Sequence, residues 1–572
     1  MDDEVRERVE REAEKHALLN AVKHEGEANV GAIMGPLMGE NPDFRPHGDE
    51  IPGVIGGVIG QVNDLSHEDR RDRLAEIAPE ELAELEAEAE GEEHALPELP
   101  NADSYDEIRM RCAPNPNGPW HVGHARMPAV IGSYKDRYDG WFCVRFDDTD
   151  PETKRPDLDA YDEILHAVEY LGFEPDAVYR ASDRMETYYD HARELIDLGG
   201  AYTCSCPAEK FSELKNAGEP CPHRDRAPET VREEFDSMVN GEYASGEMVL
   251  RVQTDIGHKN PALRDFVAFR MVDTPHPREE ASQYRCWPML DFQSGIDDQL
   301  IGVTHIIRGI DLQDSAKKQR FVYDYFDWEY PEVIHWGHVQ VDAYDVPMST
   351  SSIKELIDVG DLDDWDDPRA PTLASLERRG IRGTAITDAM VELGTSTSNV
   401  DLAMSSIYAA NRDHVDDEAD RRFFVRDGVE VGLAGSPPSE ANPPLHPDHE
   451  DRGVREIPVD GSVLIETEDL PEREERVWLK GLGCFQYTRD VLQYTGEEID
   501  VVRDGDVDVI HWVPATASVP VRMRTPEGDV TGRAEPGVSG LESDEVVQFE
   551  RVGFARIDRH DPDETVVYYA HP

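Results

Sequence analysis

The chain has 572 residues, and its 122 acidic side chains outnumber its 57 basic ones, which gives a formal net charge of −65. Only 11 of the basic residues are lysines. So many like charges repel one another, and this repulsion is tolerable where molar salt shortens the Debye length to about 3 Å. The composition therefore predicts a halophile's cytosolic protein. A protein that binds cations or basic partners is the alternative. The charge by itself argues against a nucleic-acid partner, because phosphate contacts need Lys and Arg.

The size and apolar content bound the architecture. A hydrophobic fraction of 38% is enough for several cores, and the length predicts about three to five domains. The longest apolar stretch, residues 51–62, is too short to span a bilayer, and the N-terminus has no apolar signal segment. Seven cysteines in so long a chain indicate reduced thiols. We expect a cytoplasmic protein without membrane contact.

The first hundred residues have a helical pattern. Residues 5–22 are charged and amphipathic, residues 66–90 repeat that pattern, and residues 79–93 are typical of a solvated helix that grades into a linker. The Gly-rich stretch 53–60 lacks the Lys-Ser/Thr of a phosphate loop. We interpret it as a tight connection between helices.

Two further patterns follow along the chain. An α/β pattern predicts strands at 108–113 and 141–146 and helices at 121–138, 158–171 and 185–198. An insertion at 202–280 interrupts this pattern, which resumes from 290 to 337. Residues 351–425 are predicted to be mostly helical. Beyond residue 434 a Pro-rich link leads into short alternating strands, predicted at 462–466, 476–479, 507–512, 517–524, 546–556 and 565–570. The turn TPEG at 525–528 is typical of a hairpin. This pattern predicts one or two antiparallel barrels.

The strongest local signal is RCAPNPNGPWHVGHAR, residues 111–126, which we call the first signature segment. It ends a predicted strand, turns and opens a predicted helix, whose first turn presents His121 and His124 on one face. A helix N-terminus attracts anions, so this pair can bind a polyphosphate, and Gly123 lets a ring or a ribose approach the backbone. If the short pattern HVGH is considered in isolation, the alternative interpretation is that the two histidines only cap the turn or lie on the surface.

In its context the segment resembles the HIGH signature of the class I aminoacyl-tRNA synthetases. The flanking residues resemble the glutamyl/glutaminyl branch of that family in particular. The residues that the resemblance assigns to ATP binding in this segment are Pro114, Asn115, Pro116, Gly118, His121, Gly123 and His124.

The resemblance also implies a glutamate site. The stretch VRFDDTDPE, residues 144–152, is similar to the branch's next strand and acidic turn, and Asp147 falls where the family holds the amino group of its amino acid. An acidic helix cap on the surface is the alternative for this cluster. We expect Asn115 to contribute to the same site.

Two arginines are the candidates for the carboxylates of that substrate. A substrate with two carboxylates needs two cationic donors, and Arg111 and Arg308 can provide them. Arg308 ends a strand in residues 290–312, which resemble the second half of the catalytic fold, with Leu290 where the family usually has a tyrosine. Because glutaminyl enzymes have a non-basic residue at the matching position, Arg308 favours glutamate. A structural ion pair of Arg308 with Asp311 or Asp297 is the alternative.

The residues VPMSTSS, 346–352, lie where the family has its second signature, KMSKS, and we call them the second signature segment. Both lysines of that signature are absent. The resemblance implies a loop of Met348, Ser349 and Ser351 that closes over the triphosphate, where backbone amides and hydroxyls can hold phosphate. We expect Lys354 or bound Mg²⁺ to supply the missing charge. Taken alone, the segment is typical of an ordinary Ser-rich turn.

A metal site is predicted in the insertion. Three cysteines and one histidine satisfy a closed, structural, tetrahedral Zn²⁺ site, and their order also resembles the zinc element of many glutamyl enzymes; they are Cys204, Cys206, Cys221 and His223. Unrelated reduced cysteines are the alternative. The remaining cysteines are too scattered to form a site and are expected in the core; they are Cys112, Cys143, Cys286 and Cys484.

The resemblance implies a multidomain α/β and β fold: a doubly wound, Rossmann-like parallel-sheet catalytic domain with a zinc-bearing insertion, a helical N-terminal appendage and C-terminal β-barrel domains that bind the anticodon. The expected parts are the appendage (1–100), the first catalytic half (101–200), the acceptor-stem insertion (201–284), the second catalytic half (285–350), a helical connection (351–433) and the barrels (434–572).

The resemblance implies the reaction of the archaeal-type glutamyl enzymes, in which ATP activates glutamate for transfer to tRNA. The expected cofactors are ATP with Mg²⁺ and a structural Zn²⁺, and the expected partners of a monomer are glutamate, tRNA(Glu) and, since archaeal members often charge both, tRNA(Gln). A glutaminyl-tRNA synthetase and an inactive tRNA-binding paralogue are the alternatives. With tRNA as a partner, the acidic residues must lie on surfaces away from it.

Overall fold

The computed structural model describes residues 3–23, 33, 37, 44, 51–63, 65, 67–78, 96–341, 344, 346–496 and 507–572. These residues divide into two compact units, Met1–Pro97 and Glu98–Pro572. The predicted solvated helix at 79–93 lies outside the described residues. No helix in the described part is long and apolar enough to cross a membrane.

The first unit contains three described helices, Asp3–Lys23, Ile51–Asn63 and His67–Ile77. The second of them includes the Gly-rich stretch, so the predicted tight connection is wrong: this stretch is itself helical. Ile51, Ile55 and Ile59 are buried and belong to the unit's core. Their spacing of four residues gives the helix one apolar face, and the burial of that face outweighs the helix cost of about 1 kcal/mol for each glycine.

Parallel strands form the centre of the second unit. Arg109–Cys112, Trp141–Phe146 and Ala177–Arg180 pair in parallel in that order, and His305–Gly309 pairs in parallel with Glu332–Trp336. The two groups meet where the Thr304 amide donates to the Arg109 carbonyl over 2.9 Å. Chain segments from the two halves of the fold thus lie side by side, an arrangement that creates a ligand crevice at the carboxyl ends of the strands.

Helices and a small antiparallel sheet surround these strands. The helices that follow the central strands are Arg126–Tyr138, Ala160–Tyr170, Met185–Asp197, Leu290–Ile301 and Gln313–Phe326. The insertion has four antiparallel strands, in spatial order Ala201–Cys204, Val249–Val252, Val267–Met271 and Cys286–Pro288. It also has the helices Ala208–Ala217 and Pro228–Val239. These elements share one apolar core with the helices Met185–Asp197, Leu290–Ile301 and Gln313–Phe326, so the insertion is anchored on both halves of the parallel-strand region.

A helical segment connects this part to the C-terminal sheets. Its helices are Thr350–Val359, Leu373–Arg378, Gly383–Glu392 and Met404–Val415. A short parallel pair, Val339–Val341 with Val400–Leu402, joins its two ends. Gly383 allows a close approach there, because a Cβ on it would lie 1.7 Å from the Tyr170 carbonyl oxygen. The start of the helix Gly383–Glu392 therefore packs directly on the backbone at the end of the helix Ala160–Tyr170.

Two seven-stranded sheets form the C-terminal part, each with its own apolar core. The first contains, in spatial order, Asp420–Arg422, Val546–Phe549, Gly553–His560, Thr565–His571, Val519–Thr525, Gly528–Ala534 and Phe424–Arg426. The second contains Asp508–Ile510, Arg476–Leu479, Gly483–Thr488, Val491–Gly496, Gly428–Ala434, Ser462–Glu466 and Val513–Pro514. A separate two-stranded pair consists of Glu440–Ala441 and Ile457–Pro458.

The topology corrects two expectations for this region. Both sheets are mixed and not purely antiparallel, since Val519–Thr525 runs parallel to Thr565–His571 and Gly428–Ala434 runs parallel to Val491–Gly496. The predicted strand 546–556 is instead two antiparallel strands with a turn between them. The hairpin at TPEG is confirmed, with Thr525 opposite Gly528.

Candidate active site

A cavity of about 880 Å³ lies at the carboxyl ends of the central strands. Arg111 is in the strand Arg109–Cys112 and Arg308 is in the strand His305–Gly309, and both line the cavity. The predicted site residues that line it are Arg111, Pro114, Asn115, His121, Gly123, His124, Asp147, Arg308 and Met348. The structure thus brings together residues that are up to 237 positions apart in the sequence.

Four of the predicted residues do not line this cavity, namely Pro116, Gly118, Ser349 and Ser351. Two of them hold neighbouring segments in place: the Pro116 carbonyl accepts a 2.7 Å hydrogen bond from the Asp157 amide, and Gly118, at a φ of 151°, lies against Thr350. The hydroxyl oxygens of Ser349 and Ser351 are 3.0 Å apart. Gly118 thus brings the first signature segment against the second.

His121 and His124 pack against each other at the cavity wall, with ring centroids 3.8 Å apart and an angle of 33° between the ring planes. His121 precedes a 3₁₀ turn, Val122–Ala125, that contains His124, and the α-helix begins only at Arg126. The sequence predicted the first turn of an α-helix here. The difference matters because residues three apart eclipse each other in a 3₁₀ turn, which explains the short distance between the rings.

Burial makes both rings neutral. It lowers the pKa of His121 from 6.5 to about 4, and together with the neighbouring His121 it lowers the pKa of His124 to about 3. Neither Nδ1 atom has a hydrogen-bond partner among the described residues. The pair therefore offers a polyphosphate neutral hydrogen-bonding groups and no positive charge.

The two signature segments meet at Gly123. A Cβ on Gly123 would lie 3.1 Å from Cε of Met348 and 3.2 Å from the ring of His121. The Val122 amide also donates to the carbonyl of Pro371 over 2.9 Å. A side chain at this position would therefore require Met348 or His121 to shift by a few tenths of an ångström.

A buried network of arginines and aspartates forms the floor of the cavity. Arg111 donates from Nε and Nη2 to the two carboxylate oxygens of Asp298, over 3.0 and 3.2 Å. Arg145 bridges that carboxylate to Asp147, with a bond of 2.7 Å to each. Burial acts to raise the pKa of Asp298, but the two guanidinium groups lower it by more, so this pKa lies below its ordinary value. Arg111 thus already has one carboxylate partner.

Asp147 is held from several sides. Gln293 donates to its Oδ1 over 3.0 Å, and the side-chain amide of Asn115 donates to its carbonyl over 2.9 Å. Burial raises the pKa of Asp147 despite the adjacent Arg145. The next residue, Asp148, is buried and accepts from the hydroxyl of Tyr161 over 2.6 Å. The alternative of an acidic helix cap on the surface is therefore wrong.

Arg308 differs from the other cavity arginines in having only neutral partners. Its Nη2 donates to Oε1 of Gln319 over 3.0 Å and to the hydroxyl of Tyr330 over 2.8 Å, and its Nε has no partner in the described part of the chain. Asp297 is bound instead by Arg184, over 2.7 Å. The alternative of an ion pair with Asp297 or Asp311 does not form. This guanidinium remains available to a carboxylate ligand.

Several of these residues were not identified from the sequence. They are Arg145, Gln293, Asp298, Gln319 and Tyr330. Gln293 and Asp298 lie on one helix, Leu290–Ile301, and the other three come from different elements. Some of them fall within segments that carry the resemblance, but no spacing singled out these side chains. The one available signal was the pair of adjacent aspartates in the helix Leu290–Ile301, where a charge on the core-facing side of a helix requires a buried partner.

The predicted metal ligands converge in the insertion. The Sγ atoms of Cys204 and Cys221 are 3.7 Å apart, and Nδ1 of His223 lies 3.4 Å from Sγ of Cys206 and 3.6 Å from that of Cys221. A tetrahedron with Zn–S bonds of 2.3 Å has edges of about 3.8 Å. The four ligand atoms therefore fit a tetrahedral zinc ion. The other four cysteines are buried, as expected.

Comparisons with known proteins agree with this arrangement. Residues 107–417 match the family described as tRNA synthetases class I (E and Q), catalytic domain, and residues 419–504 and 509–558 match its anticodon-binding domains. A protein of Natronomonas pharaonis is 72% identical over 572 residues, one of Haloarcula marismortui 69% over 581, and one of Halobacterium salinarum 66% over 586. Each match covers 100% of both chains, and each relative is named glutamate–tRNA ligase. These organisms are halophilic archaea.

Proposed function

Since this chain belongs to the class I tRNA synthetases of the E and Q branch, we propose that its central cavity is where glutamate is activated and joined to tRNA. The activity is that of a glutamate–tRNA ligase. The observation that carries the assignment of the cavity is the buried guanidinium of Arg308, whose partners are all neutral. An acidic side chain complements it, and an amide does not.

The reaction has two steps. An oxygen of the α-carboxylate of glutamate attacks the α-phosphorus of ATP, which forms glutamyl-adenylate and releases pyrophosphate. A hydroxyl of the 3′-terminal ribose of tRNA then attacks the acyl carbon and releases AMP. Neither step needs a protein nucleophile, so catalysis consists of positioning and of stabilising developing charge.

The arginines and Asp147 are proposed to bind glutamate. Arg308 binds the side-chain carboxylate through a charge-assisted bond, and Asp147 binds the amino group, with Asn115 holding its backbone. Arg111 binds glutamate through its Nη1 atom, which Asp298 does not use. Its other nitrogens bind Asp298 and keep the floor of the cavity rigid. Burial of the site strengthens each of these interactions.

The histidine pair and the signature segments are proposed to bind ATP. The neutral rings of His121 and His124 hydrogen-bond to the phosphates, and Gly123 admits the nucleotide to the backbone. Residues 114–118 shape the wall of the cavity beside the nucleotide. Met348, Ser349 and Ser351 close over the triphosphate. Mg²⁺ enters bound to ATP, because it prefers phosphate oxygens and water to an all-protein site.

The remaining parts have supporting roles. We assign a structural Zn²⁺ to Cys204, Cys206, Cys221 and His223, where it fixes the edge of the insertion, residues 201–284, that contacts the acceptor stem. The two C-terminal sheets contact the anticodon, and their first strand begins at Asp420 and not at the expected 434. The helices between residues 350 and 415 connect them to the catalytic halves 101–200 and 285–350, and residues 1–100 form a helical appendage. The protein acts as a monomer in the cytoplasm. It charges tRNA(Gln) as well as tRNA(Glu) with glutamate.

A pyrophosphate-exchange assay tests the proposed site. In molar KCl with total tRNA, incorporation of labelled pyrophosphate into ATP should depend on glutamate and not on glutamine. Replacing both His121 and His124 with Ala should reduce the rate by about 100-fold or more. The matched control is His166→Ala, an exposed histidine paired with Glu377. Equal stimulation by glutamine would favour a glutaminyl enzyme, and no exchange by the folded protein would favour an inactive paralogue.

A further inference from the structure

The cavity lacks a free positive charge on most of its wall. The second signature segment, residues 346–352, contains no lysine. Arg126 is used structurally, with its guanidinium donating to the carbonyls of Gly337 and Gly394 over 2.8 Å each, and Arg111 is paired with Asp298. The two histidines are neutral. A triphosphate in this cavity therefore needs a cation that these groups do not supply.

Lys354, the lysine that the sequence suggested, lies outside the cavity wall. Its side chain forms an ion pair with Asp157, with a distance of 3.3 Å between Nζ and Oδ2. A lysine held by a carboxylate outside the cavity has to lose that partner before it can reach a phosphate. Apart from the Mg²⁺ that enters with ATP, a side-chain cation for the phosphates is therefore sought among the other residues that line the cavity.

Lys154 lines the cavity. It lies in the turn that follows the strand Trp141–Phe146, its side chain is exposed, and it makes no hydrogen bond or ion pair with any other described residue. A lysine ammonium is a compact charge on a flexible four-carbon stem. Lys154 is thus free to move toward an anion at the cavity mouth.

The turn that carries Lys154 borders both signature segments. Its two ends are fixed to the first segment, since the amide of Asp147 donates to the carbonyl of Pro114 over 2.9 Å and the amide of Asp157 donates to that of Pro116 over 2.7 Å. The helix that follows the second segment approaches the same place through the ion pair of Lys354 with Asp157. Lys154 therefore lies beside the wall that we assign to the phosphates.

We propose that Lys154 provides the cation that the second signature segment lacks, with its ammonium contacting the β- and γ-phosphates of ATP. The inference rests on the proposed function and deepens it. In the first step the new bond joins a carboxylate oxygen of glutamate to the α-phosphorus. The bond from that phosphorus to the bridging oxygen breaks, and its electron pair leaves with pyrophosphate. Lys154 stabilises the negative charge that develops on this leaving group.

Steady-state pyrophosphate exchange on a set of lysine variants tests the proposal. Lys154→Met should lower the rate by about 10- to 100-fold, and Lys154→Arg, which keeps the charge, should retain most of it. The matched control is Lys135→Met, because Lys135 pairs with Asp176 away from the cavity. An unchanged rate in Lys154→Met would overturn the proposal, and so would a loss found in Lys354→Met instead.

A second readout separates contact with phosphate from a general effect on the fold. Lys154→Met should weaken the binding of ATP about tenfold or more and leave the binding of AMP unchanged, because AMP lacks the β- and γ-phosphates. It should also transfer glutamate from preformed glutamyl-adenylate to tRNA at the rate of the unmodified chain. An equal loss in the transfer step would overturn the proposal. If the unmodified chain shows no glutamate-dependent exchange, the proposed function itself fails.

Discussion

A buried charge without a directly bound opposite charge is costly, and Arg308 has this arrangement, because Asp298 acts on it without a hydrogen bond. Removing a guanidinium from water costs several kcal/mol unless a partner compensates for it, yet Arg308 is only 6% exposed and is bound by the neutral side chains of Gln319 and Tyr330. Arg145, by contrast, is paired with Asp147 and Asp298. The difference indicates that Arg308 is kept for a carboxylate that arrives with the substrate.

Arg308→Gln tests this interpretation. Losing one partner of a buried charge pair costs about 2–5 kcal/mol, so kcat/KM for glutamate should fall at least about 30-fold. The value for glutamine should change little or rise, because the amide substrate does not lose a charge partner. The measurement is tRNA charging with each amino acid, with Arg308→Lys as the charge-conserving control. A similar loss for both amino acids would contradict the assigned role.

The histidine pair predicts how stability depends on pH. Burial keeps the pKa of His121 at about 4 and that of His124 at about 3 in the folded chain, against 6.5 for a free histidine. The unfolded chain therefore binds more protons between these values, and folding stability is lost as the pH falls from 6.5 toward 4. Replacing both histidines with Gln should make this loss smaller.

Thermal unfolding in molar KCl at a series of pH values measures this effect. We compare how the melting temperature changes with pH in three proteins. They are the unmodified chain, the double glutamine variant and, as the exposed-histidine control, His166→Gln. The account requires that only the double variant flattens the profile. Identical acid sensitivity in all three proteins would show that the two rings are not buried as neutral groups.

At the scale of elements, the insertion depends on ligands that come from separate segments. Cys204 ends a strand, Cys206 follows it, and Cys221 and His223 lie beyond the helix Ala208–Ala217. An ion held by all four closes this loop and adds its binding free energy to folding. We therefore predict that the order of the insertion depends on metal content.

Metal analysis and chelation test this coupling. We expect about one zinc per chain after purification, and a strong chelator should lower the melting temperature of the folded protein. Cys206→Ser should lose the metal, whereas Cys484→Ser, in the C-terminal part, should retain it. A metal-free chain with the stability of the original would refute the structural role.

What the sequence predicted well is local. The strand Trp141–Phe146 and the cysteine cluster are fixed by short spacings, and the two signature segments were identified because each is contiguous. The bond between Arg145 and Asp298 joins residues 153 positions apart, and no periodicity encodes it. The mixed topology of the C-terminal sheets was missed for the same reason, since a strand pattern gives the period of the side chains and not the neighbouring strand.

The glycine-rich helix and the 3₁₀ turn show a second limit. Residues 51–63 contain four glycines, so intrinsic propensity argued against a helix, and the packing of Ile55 and its neighbours decided otherwise. At His121 the pattern of histidines three apart suits an α-helix and a 3₁₀ turn equally. Tertiary contacts, such as the bond from Val122 to Pro371, selected the turn.

At the scale of the whole molecule, arginine and lysine have different roles. Ten arginines are buried in the described part of the chain and no lysine is. Arginine remains charged and offers a planar set of donors that satisfies carboxylates and carbonyls together, as Arg379 does with the backbone of Tyr569 and Ala570.

The charge predicts an unusual salt dependence of tRNA binding. A protein that neutralises phosphates normally loses affinity with a slope of about −0.7 to −0.9 per phosphate contact in log–log form. Here, cation uptake at the acidic surface should offset cation release from the RNA, so the slope should be close to zero. Equilibrium binding of total tRNA across a range of KCl concentrations, with the fold monitored in parallel, measures it. A steep loss of affinity by a folded protein would contradict this account.

The central claim, that this acidic chain joins glutamate to tRNA in its Arg308 cavity, is tested most directly by charging. Total tRNA from a halophilic archaeon is incubated with the protein, ATP, Mg²⁺ and labelled glutamate or glutamine in molar KCl. We expect glutamate, and not glutamine, to become esterified to tRNA. Preferential charging with glutamine, or no charging by folded protein, would contradict the claim.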